Sequence, residues 1–311
     1  MNTDEYSIAD FLLESIKPSL GVIDPSRIAV IVSNSKYNFS AFGCPEKFAN
    51  KFMAHNISSY IASKIGNGCL PYNVVAACAT GLVSIIKGIE LLNRKIVDVV
   101  VAGSIETSKT DLIEAAFSKM GVLSHIGRTL PFANNRDGFV IGEGGAVIVM
   151  KRADEMIDDN APKITGYAYG NDASDIVAIN SDAKSIKRLI SQSLNMAGLK
   201  HVDYINAHGT GTTLNDQTEL KGICAAFEDT SSIYLNSTKY YTGHLLGATG
   251  SVELVLSLMA MKNKEQIPNN YLQDPMPDMI KFSNQSVTEI SSILTLNYGF
   301  GGHIAALVVN K

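Results

Sequence analysis

The sequence predicts an α/β fold built from two similar halves within 311 residues. β-Branched runs alternate with amphipathic helical patterns along the chain, which favours largely parallel sheets with crossover helices. Each half ends in a Gly-rich turn followed by a final apolar strand. No Pro-rich or Gly/Ser-rich linker separates the halves, and the charged stretch 150–163 is interpreted as their joint. The predicted domains are therefore 1–157 and 158–311.

Runs of apolar and β-branched residues predict the strands of the first half at 27–34, 72–77, 96–103 and 144–151. The same signal predicts the strands of the second half at 163–169, 203–207, 232–236, 293–299 and 303–309. Helices are predicted between them near 81–93, 183–198, 216–227 and 248–263. The first helix shows the periodicity most clearly, because its apolar residues recur at spacings of three and four: Leu82, Ile85, Ile86, Ile89 and Leu92.

The composition indicates which classes of partner to expect and in which compartment the protein lies. Charged residues make up 18% and hydrophobic residues 46% of the chain, which predicts a large core. The net charge of -4 and the lack of a long basic run argue against nucleic acid as a partner. The polar N-terminus lacks a signal-peptide pattern, and no window approaches the ~20 apolar residues that span a bilayer. We therefore expect a cytoplasmic protein with no membrane contact.

Four cysteines occur without a CxxC pair, and a reducing cytoplasm predicts free thiols for all of them: Cys44, Cys69, Cys78 and Cys224. Cys78 stands apart because it follows an apolar run and precedes a predicted helix. Small neighbours permit a tight turn there, and a helix N-terminus stabilises a thiolate and donates N–H groups to an oxyanion. The segment alone is equally consistent with a small buried cysteine that packs a strand–helix junction.

Two histidines in matching contexts favour the chemical interpretation. His208 lies in INAHGTGTTLND and His244 in STKYYTGHLLGATG, and both follow a predicted strand in a glycine-containing loop. Such loops at the edge of a parallel sheet are where α/β proteins collect their sites. A single histidine is more often structural, but two beside a strand-end cysteine are less easily explained that way. Neither HxxxH nor Cys/His zinc spacing occurs, so no metal is expected.

Taken together, these segments resemble the β-ketoacyl-[acyl carrier protein] synthases of fatty acid and polyketide assembly, in the thiolase superfamily. The resemblance is carried by ACATG at 77–81, VVVAGSIET at 99–107, PFANNRDGFVIGEGGAVIVM at 131–150, the two histidine segments and NYGFGGHIAALV at 297–308. It implies a thiolase-like fold whose two βα halves form a layered α-β-α-β-α arrangement. It also implies an acyltransferase of the 3-oxoacyl synthase type.

The resemblance also implies roles for individual residues. Cys78 would be the acylated nucleophile, and His208 and His244 would donate to the malonyl thioester carbonyl during loss of carbon dioxide. Lys239 would orient the loop and add positive charge, with Glu219 as its partner. The remaining assignments are Phe300 as gate and, with Cys78, as oxyanion donor, and Thr210, Thr212 and Gly301 as contacts to the substrate. No cofactor is implied beyond the phosphopantetheine arm carried by acyl carrier protein or coenzyme A.

Several features depart from the family pattern. The chain begins just before the second family strand, so the first half is expected to lack the usual first strand, which is expected inside its sheet, and the basic segment that helps to dock the carrier protein. Either the remaining strands close the gap or a neighbouring subunit fills it. Local departures affect the gate and its surroundings: the loop 170–184, Thr213, Leu214, Tyr298 and His303.

Three functions follow as hypotheses. The first is decarboxylative Claisen condensation of an acyl thioester on Cys78 with malonyl carrier protein. The second is a non-elongating acyltransferase, which would acylate Cys78 without releasing carbon dioxide. The third is a chain-length-factor-like partner of an active synthase, although such subunits usually lose the cysteine. A homodimer or heterodimer is expected, because the apolar segment 72–77 corresponds to a family strand that pairs with its symmetry mate.

Overall fold

The computed structural model describes residues 4–36, 56–155, 160–283 and 289–311. The chain packs as two units, each of which collects separate stretches of sequence. The first unit comprises Met1–Ile113, Glu143–Asp159 and Leu245–Val255, and the second comprises Glu114–Gly142, Asn160–His244 and Leu256–Lys311. The predicted boundary at 157/158 falls outside the described residues and stays a prediction.

The strands are β1 (Ile28–Ser33), β2 (Leu70–Pro71), β3 (Val99–Glu106), β4 (Gly144–Lys151), β5 (Lys163–Asn171), β6 (Tyr204–Asn206), β7 (Tyr234–Asn236), β8 (Ser292–Gly299) and β9 (His303–Asn310). The helices are α1 (Glu5–Leu20), α2 (Asn56–Ile65), α3 (Thr80–Asn93), α4 (Asp111–Lys119), α5 (Lys184–Ala197), α6 (Thr213–Ala226), α7 (Lys239–Thr242) and α8 (Thr249–Asn263). All four predicted helices form as α3, α5, α6 and α8. Among the described residues, no helix combines the length and apolarity needed to cross a membrane.

Both sheets are largely parallel, and each becomes mixed through a single antiparallel strand. The first has the order β2-β1-β3-β4, with β4 antiparallel to β3 and the other pairs parallel. The second has the order β5-β9-β8-β6-β7, with β9 antiparallel to β5 and β8. The last strand of each half is therefore the exception to the expected, largely parallel arrangement. A short Gly-rich turn joins β8 to β9, and a turn of that length can connect only antiparallel neighbours.

One predicted strand, 72–77, does not form. The ladder with β1 ends at Pro71, and the next N–H groups are satisfied one at a time: Tyr72 donates to the Val30 carbonyl at 2.8 Å and Val74 to the Ser33 hydroxyl at 3.0 Å. The segment is extended, but within the described residues no second strand lies beside it to continue a ladder.

Helix α1 was not predicted, because the N-terminal stretch is rich in polar residues. It buries Ala9, Leu13 and Leu20 in an apolar cluster with residues of α2, β1 and β3. Helix α3 packs against β1 and β3, and its Gly88 lies close to the side chain of Met150. In the second unit, the core forms between the sheet and helices α5 and α6.

The two sheets correspond strand for strand except at one edge. The order β4-β3-β1-β2 matches β9-β8-β6-β7, and only the second sheet has a further strand, β5, beyond its antiparallel strand. The counterpart of β5 would therefore lie at the outer edge of β4, whereas β1, β3 and β4 pair directly with one another. The expectation of a gap inside the first sheet was wrong, since the missing position is at its edge.

The consequence of this difference is seen in burial. Ile304–Val309 of β9 are buried between two neighbouring strands, whereas Val147, Ile148 and Val149 of β4 are only half-buried. No described strand pairs with the outer edge of β4.

Candidate active site

Cys78 occupies a sharp corner at the N-terminus of α3. A short 3-10 turn, Ala77–Ala79, leads directly into the helix, and Cys78 is buried within it. Ala77 has a φ of 47°, a left-handed conformation that is strained for a residue with a Cβ. The Thr80 hydroxyl accepts the N–H of Ala76 at 2.9 Å and donates to the carbonyl of Ala77 at 2.7 Å. The corner predicted from sequence is confirmed, although a loop rather than a strand precedes it.

Close packing holds this corner from behind. A Cβ on Gly81 would lie 2.6 Å from the backbone nitrogen of Ser251 and 2.7 Å from Oγ of Ser104. The hydroxyls of Ser104 and Ser251 are themselves 2.6 Å apart. Only glycine fits at position 81, so the start of α3 is fixed against β3 and the start of α8.

The buried carboxylate of Glu106 anchors a second turn beside the corner. It accepts the N–H groups of Ser35 at 3.0 Å and Gly247 at 3.2 Å, and the hydroxyl of Ser108. Gly247 belongs to the 3-10 turn Leu246–Ala248, which packs against the turn that carries Cys78. Glu106 lies in the VVVAGSIET segment, but the sequence pattern assigned it no role. The signal that was missed is an acidic residue at the end of a strand with no charge elsewhere in it.

In the second unit, His208 and His244 form a buried pair. Their ring centroids are 5.5 Å apart and the planes are nearly perpendicular, at 83°. The backbone of His244 is fixed on both sides, since its N–H donates to Val140 at 2.8 Å and its carbonyl accepts from Gly142 at 3.0 Å. The ring of Phe139 packs edge-on against His244 at 4.7 Å.

Lys239 controls the proton on His208. Its side chain is fully buried, and its Nζ donates to the His208 carbonyl and lies 3.4 Å from Nδ1 of the His208 ring. Burial is the main cause that holds the pKa of His208 well below its usual range, and the charge of Lys239 and the neighbouring ring of His244 lower it further. The imidazole is therefore neutral near pH 7. With donors facing Nδ1, the ring proton sits on Nε2, which leaves Nε2–H free to donate.

Glu219 supports the same loop from α6. Its carboxylate accepts the backbone N–H groups of His208 and Gly209, each at 2.7 Å. Burial is the main reason that its pKa is raised to about 8; the charge of Asp216 adds to the rise, while the backbone donors and Lys239 oppose it. The charge of Lys239 reaches the carboxylate, but its two short hydrogen bonds go to the backbone, and the pairing of Glu219 with Lys239 stays a prediction.

A further ion pair, Asp216 with Arg136, lies beneath this loop and was not identified from sequence. Arg136 Nε is 3.5 Å from the fully buried carboxylate of Asp216, which also accepts the N–H groups of Phe132 at 2.8 Å and Gly211 at 3.2 Å. The pair joins the PFANNRDG segment to the loop after His208. The adjacent charged residues Arg136 and Asp137 in this otherwise uncharged stretch were the available signal.

Thr210 and Thr212 lie in the loop after His208. Their hydroxyls are 2.9 Å apart, and Thr212 is the residue before α6. Thr210 is buried and Thr212 half-buried. Their predicted contacts to a substrate arm stay predictions.

Phe300 and Gly301 form the turn between β8 and β9. Phe300 is half-buried and stacks on Phe117, with ring centroids 6.0 Å apart. Gly301 has a φ of 81°, which favours glycine, and its N–H donates to the carbonyl of Ile176 at 2.6 Å. Asn171 Nδ2 donates to the Gly301 carbonyl at 2.7 Å. The turn is therefore tied to the loop 170–184 on one side and to an aromatic ring on the other.

Among the predicted site residues, only Cys78 belongs to the first unit; the others belong to the second. Within the second unit, the structure brings together His208, His244, Lys239 and Glu219. Cys69, Cys78 and Cys224 are free thiols as predicted, and Cys44 lies outside the described residues. No group of three or more metal-ligating side chains gathers in the described parts of the chain.

Comparison with known proteins places this geometry in a family. Residues 29–156 match the β-ketoacyl synthase N-terminal domain, and residues 162–272 match the β-ketoacyl synthase C-terminal domain. The 3-oxoacyl-[acyl-carrier-protein] synthase 2 of Synechocystis sp. is 32% identical over all of this chain and 76% of its own length. The enzyme of the same name from Staphylococcus aureus is 33% identical over 82% of this chain, which spans only 64% of that relative.

Solved structures agree on the fold. One is a type II PKS acyl-carrier protein in complex with its ketosynthase bound to the hexaketide. It has a TM-score of 0.86 and 25% identity, covering 100% of this chain and 85% of the other. Another is a ketosynthase in complex with its chain length factor from Xenorhabdus doucetiae, with a TM-score of 0.87 at 23% identity, covering 98% of this chain and 80% of the other. The predicted α/β, thiolase-like fold class is confirmed. This chain belongs to the β-ketoacyl synthase family of condensing acyltransferases.

Proposed function

We propose that this chain catalyses decarboxylative Claisen condensation between an acyl group on Cys78 and a malonyl unit delivered by acyl carrier protein, in fatty acid or polyketide biosynthesis. The observation that carries the proposal is the buried pair of His208 and His244, in which His208 is neutral. Simple acyl transfer has no use for such a pair. Decarboxylation places negative charge on a thioester oxygen, which neutral imidazole N–H donors stabilise.

The steps follow from these roles. The thiolate of Cys78 attacks the acyl thioester, the thioester carbon–sulfur bond breaks, and the carrier leaves as a thiolate that takes a proton from solvent. The malonyl carboxylate then leaves as carbon dioxide, and its bonding pair becomes an enolate held by N–H donors from His208 and His244. The enolate carbon forms a bond to the acyl carbonyl on Cys78, and the thiolate is released. Electrons and atoms balance without an external oxidant or reductant.

Local structure supports each role. Cys78 lies at the N-terminus of α3, where N–H groups and the helix dipole favour a thiolate and an oxyanion. The oxyanion role of the Phe300 N–H, and the contacts of Thr210, Thr212 and Gly301 to a phosphopantetheine arm, are proposed from their positions in the family motifs. We propose no metal and no cofactor besides that arm.

The proposed partners are acyl carrier protein and a second synthase-like subunit, identical or different. Among the similar solved structures, one contains a carrier protein with its ketosynthase and another a ketosynthase with its chain length factor. On this chain, Tyr72 and Val75 expose large apolar side chains in the segment just before Cys78, as an interface would require. The proposed location is the cytoplasm, in keeping with free thiols at the described cysteines.

The decisive test is an elongation assay with malonyl carrier protein and acyl donors of graded length, with products identified by mass. Wild-type protein is expected to release carbon dioxide and form a 3-oxoacyl product, whereas Cys78→Ala forms none. Cys224→Ala, which removes a half-buried thiol of the second unit, serves as the matched control and keeps full activity.

The other outcomes are equally specific. Acylation of Cys78 without carbon dioxide release would establish a non-elongating acyltransferase. An unchanged pathway output with Cys78→Ala would establish a chain-length-factor-like subunit. No product at any acyl length, with the natural partner present, would overturn the condensation proposal.

A further inference from the structure

Tyr298 contacts the histidine cluster from the sheet. It lies near the end of β8, is only 3% exposed, and its ring meets that of His208 edge-on at 5.3 Å and 62°. The three rings of Tyr298, His208 and His244 therefore form one buried row of edge contacts. A phenylalanine would make the same ring contact, so the hydroxyl is the part of Tyr298 that the packing does not explain.

That hydroxyl is buried next to a carboxylate. Its oxygen has almost no accessible surface and forms no hydrogen bond of ordinary geometry within the described part of the chain. Burial raises the pKa of Tyr298 well above its usual range, and the nearby charge of Glu219 raises it further. The phenol is therefore protonated near neutral pH, and beside a carboxylate it acts as a donor.

A small movement of the Tyr298 hydroxyl toward the Glu219 carboxylate lets the hydroxyl donate and the carboxylate accept a hydrogen bond. A buried polar group without a partner is unfavourable, and a hydrogen bond to a charged acceptor is stronger than one between neutral groups. Glu219 already accepts two backbone N–H groups, and a carboxylate has acceptor sites for more. A third donor favours the ionised carboxylate, which burial otherwise disfavours.

We propose that the Tyr298 hydroxyl donates to Glu219, favours the ionised form of that carboxyl, and thereby positions the His208 loop. Tyr298 is thus a positioning residue rather than a catalytic one. The charged and titratable groups that face Glu219 are Asp216 on its own helix, His208 and Lys239 from the adjoining loops, and Tyr298 from β8. The predicted effect on the condensation rate rests on the proposed function, whereas the hydrogen bond itself does not.

The first measurement is the pH dependence of kcat/KM for condensation between pH 6 and 10. In wild-type protein we expect an inflection near the pKa of Glu219, about 8. Tyr298→Phe keeps the ring and removes the donor, so the inflection moves upward by roughly half to one pH unit. The rate on the high-pH plateau stays within about twofold, because an ionised Glu219 again holds His208.

The second measurement does not need activity. Because burial raises the folded-state pKa of Glu219 above its ordinary value, ionisation of Glu219 costs stability as pH rises through about 8. Tyr298→Phe raises that pKa again, so the Tm difference between wild type and variant is expected to grow from pH 6 to pH 9.5. A purely structural role for the hydroxyl would give the same Tm difference at both pH values.

Tyr204→Phe is the matched control. Tyr204 is a fully buried tyrosine of the same sheet, and its hydroxyl donates to Asn236 at 2.7 Å. Its removal is expected to lower Tm equally at both pH values and to leave the inflection in place.

The outcomes separate the two proposals. An inactive wild-type protein with a pH-dependent Tm difference for Tyr298→Phe would overturn the proposed function and support this inference. Equal inflections for wild type and Tyr298→Phe, or a Tm difference independent of pH, would overturn the inference.

Discussion

Nζ of Lys239 lies 3.4 Å from Nδ1 of His208, deep in the second unit and out of reach of solvent. The contact sets two properties of the imidazole at once. It disfavours a second proton on the ring, and it directs the single proton to Nε2. Burial, reinforced by this one side chain, therefore lowers the pKa of His208 and makes the ring a neutral donor near pH 7.

Replacing Lys239 is expected to impair decarboxylation more than acylation. In Lys239→Met the charge that suppresses protonation is lost and Nδ1 is free to take the proton, so the Nε2–H donor is depleted. We expect single-turnover decarboxylation of malonyl carrier protein to fall roughly 100-fold, while acylation of Cys78 persists by intact mass. Lys262→Met, which removes an exposed lysine, is the control. Decarboxylation at the wild-type rate in Lys239→Met would refute the assigned role.

Glu219 is expected to impose a pH dependence on the reaction. Below its pKa of about 8 the carboxyl is neutral and holds the N–H groups of His208 and Gly209 less strongly. The condensation rate should therefore rise with pH through about 8. Glu219→Gln is a permanently neutral counterpart, so its profile should be flat in that range and lie near the low-pH rate of wild type.

The same substitution has a signed effect on stability. The folded-state pKa of Glu219 is raised, so its contribution to stability is full below about pH 4.5 and is lost as pH rises through about 8. The Tm of Glu219→Gln minus that of wild type should therefore increase as pH rises from 5 to 9. A constant Tm difference across this range would show that Glu219 is already ionised in the folded protein at pH 5 and that its pKa is not raised.

Gly81 is predicted to be indispensable for packing at the Cys78 corner. Gly81→Ala places a methyl group 2.6 Å from the backbone nitrogen of Ser251, and backbone cannot yield as a side chain can. We expect a loss of about 1–3 kcal/mol in the free energy of unfolding, measured by denaturant titration. Gly170→Ala is the control, because a Cβ at that position of β5 meets nothing within 4 Å. Equal stabilities of the two variants would contradict the packing argument.

Strands β4 and β9 are expected to differ in amide hydrogen exchange. Both are eight residues long, and each is the last strand of its sheet in sequence. Strand β9 is paired on both sides, whereas β4 has one described neighbour. Unpaired edge groups exchange more readily. Mass spectrometry should show faster exchange in peptides covering 144–151 than in those covering 303–310, and equal protection would indicate that the outer edge of β4 is covered.

The elements that local pattern can determine were predictable. Helix α3 and strand β4 carry strong periodic or apolar signals, and both form at or within one residue of the predicted bounds. Segment 72–77 has the composition of a strand, but a strand requires a neighbour, which composition cannot reveal. The position in the first sheet that corresponds to β5, at the outer edge of β4, could not be predicted either, because it depends on the order of strands in space.

The site divides in the same way. Cys78, His208 and His244 stand in Gly-containing segments with unusual composition, so the sequence exposes them. Glu106 and Asp216 do comparable structural work, but each acts through backbone N–H groups brought from distant segments. Backbone N–H partners cannot be recognised from the sequence, because nearly every residue type has one. The approach of Tyr298 to Glu219 was hidden for the same reason, since only the folded sheet brings β8 and α6 together.

The first unit is assembled from separate stretches of sequence, and this affects when it can fold during synthesis of the chain. Ser104 and Ser251 are 147 positions apart, yet their hydroxyls meet behind the corner that carries Cys78. At about 5–20 residues per second, a ribosome takes roughly 7–30 s to deliver the second serine after the first. During that interval the corner lacks its backing and Glu106 lacks the N–H of Gly247. Contacts of such sequence separation also pay a large loop-closure entropy before they form. The nucleophile is thus assembled late, only after Ser251 has left the ribosome.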